Sequence, residues 1–324
     1  MFIRTLALAA LFQGACASAA SLVAPGTYFI EGEATPNREP DGNSIVIAAP
    51  QGLIVFGTGR YEKHWQEVLD FAREQNRPIA AIVNSQWHLD QVGGNARLRA
   101  AFPDAPVFAS SAIDAARKGF LADYRAQLAA RIAESTKDPE SAKHPEVQAA
   151  LRAEMALIDE GAALSPTDVI AKSARMSIAG RELQVHLESH AVTGGDVWVF
   201  DPETRVLLAG DLVTLPAPFF ESACPARWRD ALTRLENEPF ERLVPGHGVP
   251  MHKADFKAYR KAFSHLLDCA AGNAAEDACK DGWLSDTSGL IAPKDMSYAR
   301  TLIGYYVDGY LRHPSERIRK FCVN

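Results

Sequence analysis

From position 21 onward the chain reads as short apolar runs: GTYFIEGE, SIVIAAP and LIVFGTG, separated by Gly, Pro and Asn. That spacing predicts β-strands closed by turns. The period then changes. Tyr61, Trp65, Val68, Leu69 and Ala72 repeat at helical spacing, which predicts an amphipathic helix from Tyr61 to about Gln75, with His64 on its polar face. IAAIVN (79–84) reads as a buried strand that runs into a polar loop. A helix through 96–101 and a strand at 106–109 complete a β-α-β-α-β alternation.

Residues 111–162 are dominated by Ala, Arg, Glu and Leu, and the polar break STKDPESAKHPE splits them into two helices. This predicts a helical hairpin inserted over an α/β core, serving either as a solvated flap or as a substrate lid. Strands return at ELQVHLE, VWVF and RVLLAG, with a DPET hairpin turn between the last two, and RLVPGHG is a further strand and loop. The C-terminal part, 253–324, is helical, with helices at 254–267 and 298–311.

Composition narrows the class. Of 324 residues 47% are hydrophobic and 23% charged, enough for a sizeable core. With 34 Lys and Arg against 40 Asp and Glu the net charge is −6, which argues against a nucleic-acid partner. The first twenty residues carry one charge, Arg4, then an apolar run to Phe12, then small residues ending in Ala17-Ser18-Ala19. This predicts a signal peptide over 1–20, cut near Ala19 or Ala20, with lipid attachment at Cys16 as the alternative, and a periplasmic or secreted single domain over 21–324. The apolar run is too short for stable membrane insertion. Cys224, Cys269, Cys279 and Cys322 then permit two disulfides; the short polar loop favours Cys269 with Cys279 and leaves Cys224 for Cys322.

Three loops, each after an apolar strand, carry candidate metal ligands: Asn84 to Asn95 (NSQWHLDQVGGN), Gly210-Asp211-Leu212, and Pro245-Gly246-His247-Gly248. Strand ends are where α/β folds place their sites. In this order and spacing the three loops resemble the metallo-β-lactamase superfamily, whose signature is HxHxDH before Gly-Gly, a later His, an Asp in a GD step and a His in a PGH step. The resemblance spans about residues 27–250. It implies a four-layer αβ/βα sandwich with a metal site at one edge between two sheets. Carried across, His88, Asp90, Asp211 and His247 match the family's ligands. Gln86 and Gln91 replace two histidines, Val192 takes the place of the mid-chain histidine with His190 two residues earlier, and Gly57-Thr58-Gly59 stands for Asp-Thr-Gly.

What this implies is an exported metal-dependent hydrolase with a modified site holding one divalent ion, zinc first, with manganese or iron as alternatives. Its metal-bound hydroxide would attack an ester, amide or phosphoester-type small molecule. Asp90 would orient the nucleophile. His88, Asp90, Asp211 and His247 would hold metal, with Gln86, Gln91 and His190 as further candidates. The alternative is a metal-free pseudoenzyme that binds a ligand or partner, in which Gln86 and Gln91 hydrogen-bond across a vacated site and fill the gap between Asp90 and Asp211. Among other positions, His186 reads as structural, and His252, His265 and His313 as surface residues. Trp87 would pack under the site loop, and Phe219 and Phe220 would wall the pocket or plug the core. Substrate and oligomeric state are not legible.

Overall fold

The computed structural model describes residues 20–34, 38–137 and 144–323. The leader and Cys16 lie outside the described residues, apart from Ala20. Seven strands form one sheet in chain order: β1 (Ser21–Ala24), β2 (Thr27–Ile30), β3 (Ser44–Ala49), β4 (Gly52–Phe56), β5 (Ile79–Val83), β6 (Val107–Ala109) and β7 (Asp168–Val169). Six form the other: β8 (Ala174–Ile178), β9 (Arg181–Glu188), β10 (Asp196–Asp201), β11 (Val206–Thr214), β12 (Arg242–His247) and β13 (Met251–His252), ordered β13-β12-β11-β10-β9-β8. From β4 to β7 the pairs are parallel, as is β11 with β12, so the outgoing ends of β5, β11 and β12 can meet at one edge.

The strands are apolar on both faces because both faces are covered. On β4, Ile54 and Phe56 pack between the sheets while Leu53 and Val55 face outward. The outward layer is α1 (Glu62–Glu74), whose Val68, Phe71 and Ala72 are buried, with Leu98 of α3 (Asn95–Ala101). Short α2 (Leu89–Val92) lies between them in sequence. On β10 the same alternation sends Val197 and Val199 inward and Trp198 and Phe200 outward. There they meet α7 (Pro225–Asn237) and α8 (Lys253–Ala271). The result is the expected four-layer α/β sandwich, with helical additions.

The region after β6 holds three helices: α4 (Ala112–Lys118), α5 (Phe120–Ser135) and α6 (Pro145–Asp159). The predicted hairpin is α5–α6. The extra helix arises because Gly119 takes a non-helical backbone, φ −123° and ψ −97°, and interrupts an otherwise helical run. The C-terminal part adds α9 (Glu276–Asp286), α10 (Met296–Tyr306) and α11 (Glu316–Val323) to α8. Both expected disulfides are formed, Cys269–Cys279 and Cys224–Cys322. The second ties α11 to the segment entering α7.

One expectation is corrected here. His64 is buried, at 4% exposure. Its Nε2 lies 2.8 Å from Ser44 Oγ, because this flank of α1 packs onto the turn after β4 rather than facing solvent.

Candidate active site

The loops after β5, β11 and β12 converge. His88, Asp90 and Asp211 each bring one ligand atom within 4.8 Å of the others, the candidate metal-binding group among the described residues. His247 joins from the other side, with Nε2 2.9 Å from Asp90 Oδ2 and 3.7 Å from Asp211 Oδ1.

The two glutamines decide how these oxygens are used. Gln91 Nε2 donates to Asp90 Oδ2 at 3.2 Å and to Asp211 Oδ1 at 3.0 Å. Gln86 Nε2 donates to Asp211 Oδ2 at 2.6 Å. The other end of each amide is bonded too, and for Gln86 that bond fixes the orientation. Gln86 Oε1 accepts the His88 backbone N–H at 2.5 Å, and Gln91 Oε1 accepts from Ser85 Oγ at 3.2 Å. Turning Gln86 over would set its NH2 against the His88 N–H, donor against donor. Two glycines make room. Gly57, at φ +74°, would with a Cβ stand 2.9 Å from Gln91 Oε1. A Cβ on Gly42 would collide with Gln91 Nε2. The departure from Asp-Thr-Gly at Gly57 and the glutamine at 91 therefore belong to one arrangement.

The family's third imidazole is absent in space as well as in sequence. Val192 is buried, its N–H bound to Asp196 Oδ2 at 3.0 Å and its carbonyl accepting from Ser222 Oγ at 3.0 Å. His190 lies outside the metal-ligand group: its ring packs on Phe321, 4.7 Å between centroids, and its Nδ1 has no partner. The donor set does not fit a pair of cations. Two carboxylates remain for two ions, and amide N–H groups point at the oxygens an ion would need.

Charge around the site is balanced within the protein. Burial works against ionising Asp90, but the hydrogen bond and charge of His247, then Arg60, hold its carboxyl well below the usual range. Burial also opposes protonation of His247 and His88. The Asp90 bond together with the charges of Asp211, Asp90 and Asp41 outweighs it for His247, the Asp211 bond together with the charges of Asp211, Asp90 and Glu221 outweighs it for His88, and both imidazoles are raised above their ordinary value. Arg60 lies 3.4 Å from Asp90 Oδ1 and 2.7 Å from Glu154 Oε2 on α6. Asp41, its pKa raised by burial to about 6, accepts the Arg60 and Tyr61 N–H groups at 2.6 and 3.1 Å.

Above this network opens a cavity of about 800 Å³. Trp87 stacks on Phe120 at 5.6 Å and meets His88 edge-on at 4.6 Å. Phe219 walls the cavity against His247 at 5.1 Å, while Phe220 plugs the core against Trp228, so the two readings of that pair each hold for one residue. Tyrosines from the C-terminal helices close the far side, where Tyr306 donates to Glu221 at 2.8 Å. His186 stacks on Trp198 at 3.7 Å, and His252, His265 and His313 are exposed, as expected.

Sequence reading did not find Arg60, Glu154, Asp41 or Ser222. Ser222 Oγ lies 3.0 Å from His88 Nε2, 134 residues away, with no local motif to announce it.

Fold and site together define an α/β sandwich protein with a histidine–carboxylate cluster at one edge between its sheets. The chain belongs to the metallo-β-lactamase superfamily, whose family model matches residues 38–247. A metallo-β-lactamase from Pontibacter korlensis is similar in structure, with TM-score 0.55 and 16% identity over 76% of this chain and 98% of its own. VMB-1 (TM-score 0.53, 13% identity, 75% and 94% of the two chains) and the DIM-1 metallo-β-lactamase (0.52, 14%, 76% and 96%) show the same fold. Among curated proteins no relative matches this chain.

Proposed function

We propose that this protein is a metal-independent member of the superfamily, which binds a small, uncharged or cationic organic molecule in the aromatic cavity above its carboxylates. One observation carries the reading: Gln91 Nε2 lies between Asp90 Oδ2 and Asp211 Oδ1, at 3.2 and 3.0 Å, where a cation would bridge them. An amide hydrogen supplies the partial positive charge there without a metal. The cavity lining disfavours anions. Glu39, Asp90, Asp123 and Glu221 line it against Arg60, Arg317, His88 and His247, and each of those four basic groups is already paired with a carboxylate. The two disulfides and the N-terminal leader pattern support export to an oxidising compartment.

Elemental mass spectrometry on protein purified without chelator, then offered zinc, manganese and iron, tests this. The expected result is less than a tenth of an ion per chain, an order-of-magnitude threshold for an unfilled site. A full equivalent would overturn it.

A second reading is a hydrolase with one divalent ion, zinc first. It draws on the convergence of His88, Asp90 and Asp211 within 4.8 Å. It requires the Gln91 amide to turn so that oxygen faces the carboxylates, and one equivalent of metal in the same measurement would favour it.

A further inference from the structure

We propose that Ser222, His88 and Asp211 form a nucleophilic triad, making this cavity an acyl-transfer site for small esters. The proposal rests on the metal-independent reading above, because a cation on His88 and Asp211 would consume the same atoms.

The geometry is that of a serine hydrolase relay. Ser222 Oγ is 3.0 Å from His88 Nε2, and His88 Nδ1 is 3.3 Å from Asp211 Oδ2. The serine and the aspartate address opposite ring nitrogens, as a general base held by a carboxylate requires. Asp211 is itself held by both glutamine amides, so it is fixed as an acceptor and acts as a positioning residue. Ser222 is rigidly mounted. Two residues on, Cys224 is bound to Cys322, and its N–H donates to Ala191 O at 2.8 Å. Both Ser222 and His88 line the cavity. The Ser222 hydroxyl has one hydrogen and two acceptors in reach, Val192 O and His88 Nε2, each at 3.0 Å. Rotation about the Cβ–Oγ bond moves it from one to the other.

The step balances without any further reagent. Ser222 Oγ bonds to the ester carbonyl carbon as its proton passes to His88 Nε2. The carbon–alkoxy bond then breaks, and the departing alcohol takes that proton. Water repeats the sequence on the acyl-serine: its oxygen bonds to the carbonyl carbon, its proton passes through His88 Nε2 to Ser222 Oγ, and a carboxylic acid leaves. Trp87, Phe120 and Phe219 around the serine fit an apolar or aromatic acyl group.

The test uses the full chain, with its metal content measured on the same sample. It is treated with a fluorophosphonate, and the adduct is mapped by peptide mass spectrometry; p-nitrophenyl butyrate hydrolysis is followed in parallel. Expected are one adduct per chain, on Ser222, and an initial burst of nitrophenol. Ser222→Ala abolishes both, and His88→Gln slows labelling roughly 100-fold, the scale of general-base assistance. Asp211→Asn lowers kcat for the ester while KM stays within about twofold, a split that simple loosening of the pocket would not give. Labelling of the parent needs no variant to fold. A metal-free parent that takes no label, or takes it elsewhere, overturns the triad and leaves the metal-independent reading standing. A parent carrying one ion, with ester hydrolysis lost to chelator, overturns both.

Discussion

The side-chain nitrogen of Gln86 stands 2.6 Å from Asp211 Oδ2, and its oxygen is held 2.5 Å from the His88 backbone nitrogen. The amide is thus clamped at both ends, with its hydrogens toward the carboxylate. Where the superfamily pattern has an imidazole offering a lone pair, this chain offers a donor. The same arrangement recurs at Gln91, and both aspartates accept hydrogen bonds from these amides.

Restoring the imidazoles should restore metal. Gln86→His with Gln91→His removes both amide donors and adds two ligands beside Asp90, Asp211 and His247. The double variant is expected to bind at least one zinc per chain by elemental analysis and to titrate with it calorimetrically, while the parent does neither. Equal zinc content in parent and variant would count against the amide argument.

Glu154 should be a stability residue despite its place on an added helix. Its carboxylate is buried against Arg60, at 3% and 9% exposure, with an Oε2–guanidinium distance of 2.7 Å. Glu154→Gln leaves a buried guanidinium with only the longer Asp90 contact. The expected cost is about 3 kcal/mol in chemical denaturation. A loss under 1 kcal/mol, the range of exposed pairs, would place the pair in solvent.

Acid should weaken the fold through His64. Burial lowers this imidazole from 6.5 to about 4, against the raising influence of nearby glutamates. The unfolded chain takes the proton first as pH falls. The contribution of neutral His64 is therefore complete above 6.5 and lost as pH drops through about 4, amounting to ~3 kcal/mol. Asp41 and Asp196, both raised to about 6 mainly by burial, act in the opposite sense and cancel in a comparison of variants. His64→Gln should flatten the slope of unfolding free energy between pH 6.5 and 4; parallel curves for parent and variant would refute the assignment.

The Cys224–Cys322 bond closes a separation of 98 residues and anchors α11 beside the cavity. Cys322→Ser is expected to cost about 3 kcal/mol. It should also free Arg317, which sits 3.7 Å over the Phe120 ring and pairs with Asp123. Limited proteolysis should then clip the chain ahead of α11 in the variant and spare the parent.

Much of this protein is written locally. The apolar runs in SIVIAAP and LIVFGTG and the helical period of 61–75 each set an element by contacts within a few residues, and those elements stand where the runs and the period place them. The loops NSQWHLDQVGGN, AGDLV and VPGHG carried the superfamily pattern in order, so the edge where β5, β11 and β12 end was legible, as were the glutamines at 86 and 91. The cysteine pairing followed from loop length and remainder. The added helix α4 was not separable, because a single backbone break at Gly119 leaves almost no trace in composition. His64 was misplaced because helix periodicity shows which flank is apolar, not which flank another segment will cover.

What the tertiary structure alone decided is which atoms of the site meet. Sequence named Gln91 as a filler between two carboxylates or as a ligand. The contacts of its two amide ends, with Ser85 on one side and Asp90 and Asp211 on the other, exist only in the folded chain, and the proposed metal-independent reading rests on them. Arg60 meets Glu154 across 94 residues, and Ser222 meets His88 across 134. Neither pair shares a strand, helix or turn, so no periodicity couples them. A hydrogen bond is fixed by tenths of an ångström and by the direction of one proton, quantities that exist only once the sheets have packed and the distant loops have met.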